Sequence, residues 1–323
     1  MQVSNDLKRE AAYQALIQTS QMGTLTLAEL LKIAEKLMKK AKLHHHFFGD
    51  FTLYQTSLHL ALFALSLPYE YDNQTILNTL LSPDETLNII KILETRIAKR
   101  IPVEYITHEA KYLEFDFYVN EHVLVPRSIM NTRFQDFLDV TQWQNYRVLD
   151  LCTGSGCIGI SLALLKPDIQ VDLVDISPEA INVANINIKK YDLESRVRTI
   201  QSDLFQNLAH HKYDLIITNP PYVSQKDYKN TPTEFKNEPK LALESGKDGL
   251  DIIHQILSQA KNYLNPEGLL IAEVGYASAK LIKKQYKKLN LTWFPYRRPN
   301  GKTSWLAMDG TFLCHAKDLN LLR

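Results

Sequence analysis

The sequence has few cysteines and almost no net charge, and each absence excludes a class of protein. Three cysteines in 323 residues, Cys152, Cys157 and Cys314, are too few for a disulfide framework and are typical of a reducing compartment. Lys and Arg number 37 against 36 Asp and Glu, a formal charge of +1, so no overall basic field attracts a polyanion such as DNA. We therefore expect no stable binding to nucleic acid.

Long apolar runs are also missing. The first ten residues mix charges of both signs, where a signal peptide needs an apolar stretch. The longest apolar stretch, residues 58–67, is interrupted by His59 and Ser66 and is too short to span a bilayer. These observations predict a cytoplasmic protein with no membrane partner. The chain is long enough to bury a large core, and we expect two domains.

The first hundred residues have a helical pattern. Thr26 opens a capping box before an apolar stripe, and Ser82 precedes a proline and two acids that start another helix. We expect residues 1–100 to form a small helical domain. Aromatic and polar residues alternate within residues 101–125, which predicts a hairpin linker to a catalytic domain over residues 126–323.

Strands and helices alternate from residue 146 onward, which is typical of an α/β fold with a mostly parallel sheet covered on both faces. An antiparallel pair, residues 291–294 with 304–308, is expected near the end. The connection between residues 223 and 249 has no sustained apolar period, and connections of this length usually serve a site. The predicted parallel strands are 147–151, 171–174, 197–200, 213–218 and 269–274.

A glycine-rich loop follows the first of these strands. Gly154, Gly156 and Gly159 allow backbone N–H groups to approach a ligand closely, and Asp175 ends the next strand, where an acid can bind the hydroxyl pair of a ribose. These two features suit a dinucleotide as well as S-adenosylmethionine. The alternative is a glycine turn that only packs a helix on a strand.

A second motif, Asn219-Pro220-Pro221-Tyr222, follows the fourth strand, at the sheet edge where open α/β sheets bind their ligands. The two prolines fix their own φ and restrict the residues before them, which creates a rigid cradle of hydrogen-bond acceptors. The side-chain oxygen of Asn219 and the carbonyl of Pro220 can accept both hydrogens of a planar NH2 group, and Tyr222 can stack on it. The motif predicts in-line methyl transfer to that nitrogen. The alternative is a loop that only ends a strand.

Together the motifs resemble the class I S-adenosylmethionine-dependent methyltransferases, in the branch of protein-(glutamine-N5) methyltransferases. Further strings are similar to the group that acts on ribosomal protein L-three of the large subunit. The group that acts on release factors tends to have Pro-Arg-Pro-Asp-Thr near the linker and a Gly-Thr-Gly-Thr-Gly loop, and neither is here. The strings are Asp150–Gly156, Val174–Ser177, Ser202–Leu204 and Asn219–Tyr222 for the branch, and Thr107–Ala110, Val123–Ser128, Leu151–Cys157 and Asn237–Lys240 for the group.

The resemblance implies a Rossmann-like, mostly parallel sheet with an antiparallel final strand, and the conversion of S-adenosylmethionine to S-adenosylhomocysteine. It implies that Asn219, Pro220 and Tyr222 are catalytic and that, with Pro221 and Arg127, they bind the substrate amide. Relatives often have tryptophan at the position of Leu204, and Cys152 also departs from their pattern. The implied cofactor-binding residues are Asp150, Cys152, Thr153, Gly154, Ser155, Gly156, Asp175, Asp203, Leu204 and Asn219.

Three other activities stay open. The same chemistry on a release-factor glutamine is one. N-methylation of an exocyclic amine in nucleic acid is another, although near-zero net charge argues against it. An NAD-dependent oxidoreductase fits the glycine spacing but leaves residues 219–222 without a role. For the protein substrate, we expect the helical domain to supply docking, because a free amide brings too little binding energy.

Several individual residues have two interpretations. Asp203 either binds the adenine amino group or caps the turn after the third strand. Glu273 either lines the site or is a strand-end acid exposed to water. Arg127 is a substrate clamp or a surface arginine. The run His44–His46 favours a solvated turn, and Cys152 and Cys157 lack a second pair with ligand spacing, so no metal site is expected.

Overall fold

The computed structural model describes residues 25–43, 52–68, 73–130, 145–209, 211–294 and 310–321, together with Gln14. The run His44–His46 lies outside the described residues. The chain divides into two compact units. The first unit comprises Met1–His108 and Pro232–Asn237, and the second comprises Glu109–Thr231 and Glu238–Arg323.

The first unit is helical, and its longer helices begin where local sequence dictates. Thr26, Thr52 and Ser82 each form a complete capping box, in which the hydroxyl accepts from the backbone N–H three residues on and the side chain there accepts from the cap backbone. The starts predicted at Thr26 and Ser82 are confirmed. The helices are α1 Leu27–Lys40, α2 Leu53–Ala64, α3 Asn73–Leu77, α4 Pro83–Ile97 and α5 Val103–Thr107.

The second unit opens with an antiparallel hairpin of β1 (Glu109–Tyr112) and β2 (Phe115–Tyr118). A buried side chain ties this hairpin to the sheet domain. Asn187 accepts from the backbone N–H of Tyr118 at 2.7 Å and donates to its carbonyl at 3.0 Å. The hairpin is therefore part of the second unit.

A seven-stranded sheet forms the centre of the second unit, in the order β5-β4-β3-β6-β7-β9-β8. The first five strands in this order are parallel, whereas β9 is antiparallel to both β7 and β8. The predicted α/β fold class, with its antiparallel end, is confirmed. The strands are β3 Arg147–Leu151, β4 Gln170–Asp175, β5 Val197–Gln201, β6 Tyr213–Thr218, β7 Leu264–Glu273, β8 Thr292–Phe294 and β9 Thr311–His315.

The partner of β8 differs from the prediction. The strand expected at residues 304–308 lies outside the described residues, and β8 pairs instead with β9. The physical reason is burial: Phe312 is fully buried, and the Trp293 ring lies 5.2 Å from its ring centre, so this strand supplies the apolar face that β8 packs on.

Helices cover both faces of the sheet because successive residues of a strand point to opposite sides. Val148 packs in the core that contains residues of α6 and α7, and Leu149 packs in the core that contains residues of α9, α10 and α11. Burial of each such side chain contributes about 1.5–3 kcal/mol. In the described part of the chain, no helix is both long and apolar enough to cross a bilayer. The helices are α6 Cys157–Leu165, α7 Pro178–Lys190, α8 Gln225–Lys229, α9 Asp251–Gln259, α10 Tyr276–Gln285 and α11 Ala316–Leu319.

Candidate active site

A cavity in the second unit lies at the carboxyl ends of β3, β4, β5 and β6. Residues 122–128, between the hairpin and β3, form one wall, and residues 239–244 of the long connection after β6 form another. The expectation that this connection serves a site agrees with its position.

The cavity brings together most of the residues that the sequence singled out, from four different strand ends and the 122–128 wall. Four of the predicted residues do not line it. Asp150 is fully buried inside β3, Gly156 precedes α6, and Pro220 and Tyr222 flank Pro221. The predicted residues that line it are Arg127, Cys152, Thr153, Gly154, Ser155, Asp175, Asp203, Leu204, Asn219 and Pro221.

Asp150 holds the glycine loop in place through hydrogen bonds. One of its oxygens accepts from the Thr153 hydroxyl at 2.7 Å and from the Gly159 backbone N–H at 2.9 Å. Burial raises the pKa of Asp150 to about 7, although these two hydrogen bonds by themselves lower it. Gly154 takes a left-handed φ of +57°, and apart from its chain neighbours no atom of the described residues lies within 4 Å of the point a β-carbon would occupy. The loop therefore leaves space for close approach of a ligand.

Asp175 ends β4 with its carboxylate at the cavity. It accepts from the backbone N–H groups of Gly154, at 2.9 Å, and Ser177, at 3.0 Å. Burial raises the pKa of Asp175, and these backbone donors oppose the rise. Because each carboxylate oxygen has further acceptor capacity, the group can still bind a pair of ligand hydroxyls. Nearby apolar walls come from Val174, Ile176, Ala180, Leu204 and Ile252.

Two cavity residues other than glycine have left-handed backbone. Cys152 has a φ of 58° and Leu204 a φ of 48°. Such conformations cost on the order of 1–3 kcal/mol each and persist where the surroundings hold them. Burial raises the pKa of the Cys152 thiol, and that of Cys157 to about 12, so neither is a thiolate at neutral pH.

Asn219 presents an unsatisfied acceptor. Its side-chain oxygen Oδ1 is buried and has no hydrogen-bond partner among the described residues, and the residue lines the cavity. A buried acceptor without a partner costs about 1–3 kcal/mol. That cost is recovered when a ligand N–H binds there.

Arg127 lines the cavity with its charge already paired. Its Nη1 donates to both carboxylate oxygens of Glu238, at 2.7 and 2.8 Å, and Glu238 also accepts from the backbone N–H of Val125 at 3.1 Å. The arginine side chain is only 13% exposed, so the interpretation as a plain surface arginine is wrong. Sequence reasoning missed its pairing with Glu238, which lies within the quoted Asn237–Lys240 string.

Asp203 and Glu273 have different surroundings. Asp203 is exposed at the cavity, and its side chain accepts from Gln206 Nε2 at 3.1 Å while its carbonyl closes the turn after β5. Glu273 does not line the cavity, so the first interpretation is wrong. The residue is only 1% exposed, so the second interpretation, a strand-end acid exposed to water, is wrong as well. Its carboxylate accepts from Ser128, Ile129 and Tyr222.

Metal ligation finds no support in the ranges that the structure describes, where no group of three or more His, Cys, Asp or Glu side chains is arranged to hold an ion. Cys152, Cys157 and Cys314 are all free thiols.

Comparison with known proteins shows which class of protein has this kind of domain. Residues 134–247 match the family model described as the Methyltransferase small domain. Among solved structures, a methyltransferase from Pyrococcus furiosus aligns with 63% of this chain and 90% of its own, at 15% identity and a TM-score of 0.45. The family model thus places a methyltransferase domain over residues 134–247.

Curated relatives narrow the family. A ribosomal protein uL3 glutamine methyltransferase from Neisseria meningitidis serogroup B is 40% identical over 275 residues, which cover 83% of this chain and 88% of the relative. One from Francisella tularensis is 39% identical over 256 residues, covering 77% and 79%. The chain belongs to the family of ribosomal protein uL3 glutamine methyltransferases. The resemblance inferred from the motifs is confirmed.

Proposed function

We propose that the protein transfers a methyl group from S-adenosylmethionine to the side-chain amide nitrogen of a glutamine in ribosomal protein uL3, the large-subunit protein L-three. The family supports the substrate, since its members are named for it. The single observation that carries the chemistry is the buried Oδ1 of Asn219 beside the cavity, which has no hydrogen-bond partner in the part of the chain that the structure describes. A substrate amide N–H satisfies it.

The residues around the cavity fit S-adenosylmethionine. When bound, this molecule supplies a methyl group on a sulfonium and leaves as S-adenosylhomocysteine. Asp175 offers carboxylate oxygens to the ribose hydroxyls, and the open loop at Gly154 admits close contact. The buried Ser155 hydroxyl has no hydrogen-bond partner in the described parts of the chain. We assign it, with Cys152, Thr153, Asp203 and Leu204 and with Asp150 and Gly156 as support, to cofactor binding.

Asn219 and the Pro220 carbonyl accept the two amide hydrogens, which orients the nitrogen toward the methyl group. An amide nitrogen is a poor nucleophile because its lone pair is delocalised, so orientation must lower much of the barrier. Well-placed reactants are worth roughly 7–11 kcal/mol. Pro221 and Tyr222 keep this segment rigid, and Arg127 borders the cavity with its positive charge paired to the Glu238 carboxylate.

Methylation of purified uL3 tests the function. The protein is incubated with labelled S-adenosylmethionine and uL3 taken from cells that lack the enzyme, and the digest is read by mass spectrometry. One additional methyl group on one glutamine-containing peptide is the expected result. A label found only on a release factor, or only on RNA or DNA, would replace the proposed substrate.

The helical unit is proposed to dock uL3. Leu87, on α4, is a large apolar residue that is 43% exposed. The change Leu87→Asp is expected to raise the KM for uL3 roughly tenfold, because it removes apolar contact area, and to leave the KM for S-adenosylmethionine unchanged. Steady-state kinetics with each substrate varied measures both constants.

The matched control is Leu321→Asp, since Leu321 is 52% exposed in the second unit. An equal rise in KM for uL3 in the control, or no rise in Leu87→Asp, contradicts docking at α4. Free thiols and a ribosomal substrate both support the cytoplasm as the place of action.

A further inference from the structure

Glu273 connects two walls of the cavity although it does not line the cavity itself. Its Oε2 accepts from the Ser128 hydroxyl at 2.6 Å and from the Ile129 backbone N–H at 3.1 Å, and its Oε1 accepts from the Tyr222 hydroxyl at 3.3 Å. Ser128 ends the wall formed by residues 122–128, and Tyr222 ends the segment that begins with Asn219. A single buried carboxylate therefore binds both the end of the 122–128 wall and the Asn219–Tyr222 segment.

Tyr222 is held at other points as well. A β-carbon at Gly275 would lie 3.1 Å from ring atom Cδ2 and 3.4 Å from Cε2, so the ring packs closely on this glycine. The Ser278 hydroxyl donates to the Tyr222 carbonyl at 3.3 Å. The contact with Glu273 adds a third point of attachment, at the hydroxyl end of the ring.

We infer that Glu273 is a positioning residue, whose carboxylate fixes the 122–128 wall and the Asn219–Tyr222 segment relative to each other. This contact places Asn219 Oδ1 for the substrate amide. The inference rests on the proposed function. Glu273 acts through Tyr222 and Ser128 and touches neither the substrate nor the cofactor.

The ionised form of Glu273 is the form that does this. A carboxylate accepts all three hydrogen bonds, whereas protonation turns one oxygen into a donor, and the Tyr222 or Ser128 hydroxyl must then reverse its own hydrogen bond to accept it. Burial raises the pKa of Glu273 to about 7, while its hydrogen bonds and the charge of Arg127 oppose the rise. The other titratable groups facing it include the Tyr112 and Tyr222 phenols and the Cys157 thiol, and burial raises the pKa of each. Turnover should therefore increase as pH rises through about 7.

Glu273→Gln tests the inference because glutamine keeps the shape but carries no charge. We expect kcat on uL3 at pH 8 to fall roughly tenfold, with an unchanged Kd for S-adenosylmethionine. The wild-type decline in kcat below about pH 7 should be absent from the variant. The matched control is Glu267→Gln, an exposed acid on the same strand, which should keep the wild-type rate and pH profile.

Tyr222→Phe provides a second, milder variant because it removes only the hydroxyl. If Glu273 acts through Tyr222, Tyr222→Phe lowers kcat, and the double variant is no slower than Glu273→Gln alone. Wild-type kcat in Glu273→Gln, persistence of its pH dependence, or losses that multiply in the double variant would overturn the inference. Wild-type protein that leaves uL3 unmethylated refutes the proposed function instead, so the two failures are distinguishable.

Discussion

Polar side chains at the helix starts of the first unit and at the strand ends of the second have different surroundings. Thr26, Thr52 and Ser82 each bond to the backbone of their own helix, three residues away, and each receives a side chain in return. Ser155 and Asn219, which follow β3 and β6, have buried oxygens with no hydrogen-bond partner within the described ranges.

The difference separates structural from functional polarity. A capping hydroxyl satisfies groups that the helix itself creates, so its effect is confined to folding. A buried acceptor at the carboxyl edge of a parallel sheet costs stability until a ligand binds, so its effect belongs to binding and turnover. Variants at the two kinds of position should therefore change different measured quantities.

Asn219→Ala should have the largest effect. Removing one preorganised polar group that binds the reacting nitrogen is expected to lower kcat on uL3 by roughly two to three orders of magnitude. The Kd for S-adenosylmethionine, measured by calorimetry, should change far less. The melting temperature should not fall, because no described residue loses a hydrogen bond to Oδ1.

The control is Asn290→Ala, an exposed asparagine after α10, which should turn over uL3 at the wild-type rate. Wild-type activity in Asn219→Ala would mean that Oδ1 of Asn219 does not bind the substrate amide. The distinction between helix-start and strand-end polar residues would then lack its main support.

Asp175→Ala should have a smaller effect, on cofactor binding. Hydrogen bonds to a charged group are worth about 1.5–3 kcal/mol, so the Kd for S-adenosylmethionine should rise roughly tenfold to a hundredfold. At saturating cofactor, kcat should recover most of its wild-type value. Isothermal titration calorimetry and steady-state kinetics measure the two quantities.

Asp168→Ala, at an exposed acid after α6, is the matched control and should leave the Kd unchanged. An unaltered Kd in Asp175→Ala would remove this carboxylate from the cofactor site and limit it to holding Gly154 and Ser177.

Features encoded by short stretches of sequence could be predicted. Helix starts at Thr26 and Ser82 depend on a few adjacent residues, and the strands β3, β4 and β6 are marked by largely buried, mostly apolar runs. The convergence of Gly154, Asp175 and Asn219 followed from topology, because parallel strands end at one edge. These inferences needed no knowledge of packing.

Pairings between distant residues could not be predicted in this way. Arg127 and Glu238 are 111 positions apart, and Ser128 and Glu273 are 145 apart. No local pattern identifies such partners, because only the tertiary fold brings them together. The same holds for β9, whose place beside β8 depends on burial of Phe312, and for Asn187, which fastens the hairpin.

Ser82→Ala should have the smallest effect and should act on stability alone. Loss of the N-cap hydroxyl is expected to lower the free energy of unfolding by about 1 kcal/mol, with kcat and both substrate constants unchanged. Thermal unfolding followed by far-ultraviolet circular dichroism measures the loss, and Ser82→Thr, which keeps a capping oxygen, should restore most of it.

The loss of stability in Ser82→Ala should depend on pH. Hydrogen bonds from the Ser82 backbone and hydroxyl lower the pKa of Glu85, so their stabilisation is present above the ordinary pKa of a glutamate and is lost as pH falls through the lowered value. The difference between wild type and Ser82→Ala should therefore become smaller in acid, where only the hydrogen bond from the Glu85 backbone N–H to the Ser82 hydroxyl still separates them. A change in kcat at neutral pH in a variant that melts like the wild type would show that a capping residue affects catalysis. The distinction between capping residues that affect stability and strand-end residues that affect turnover would then be wrong.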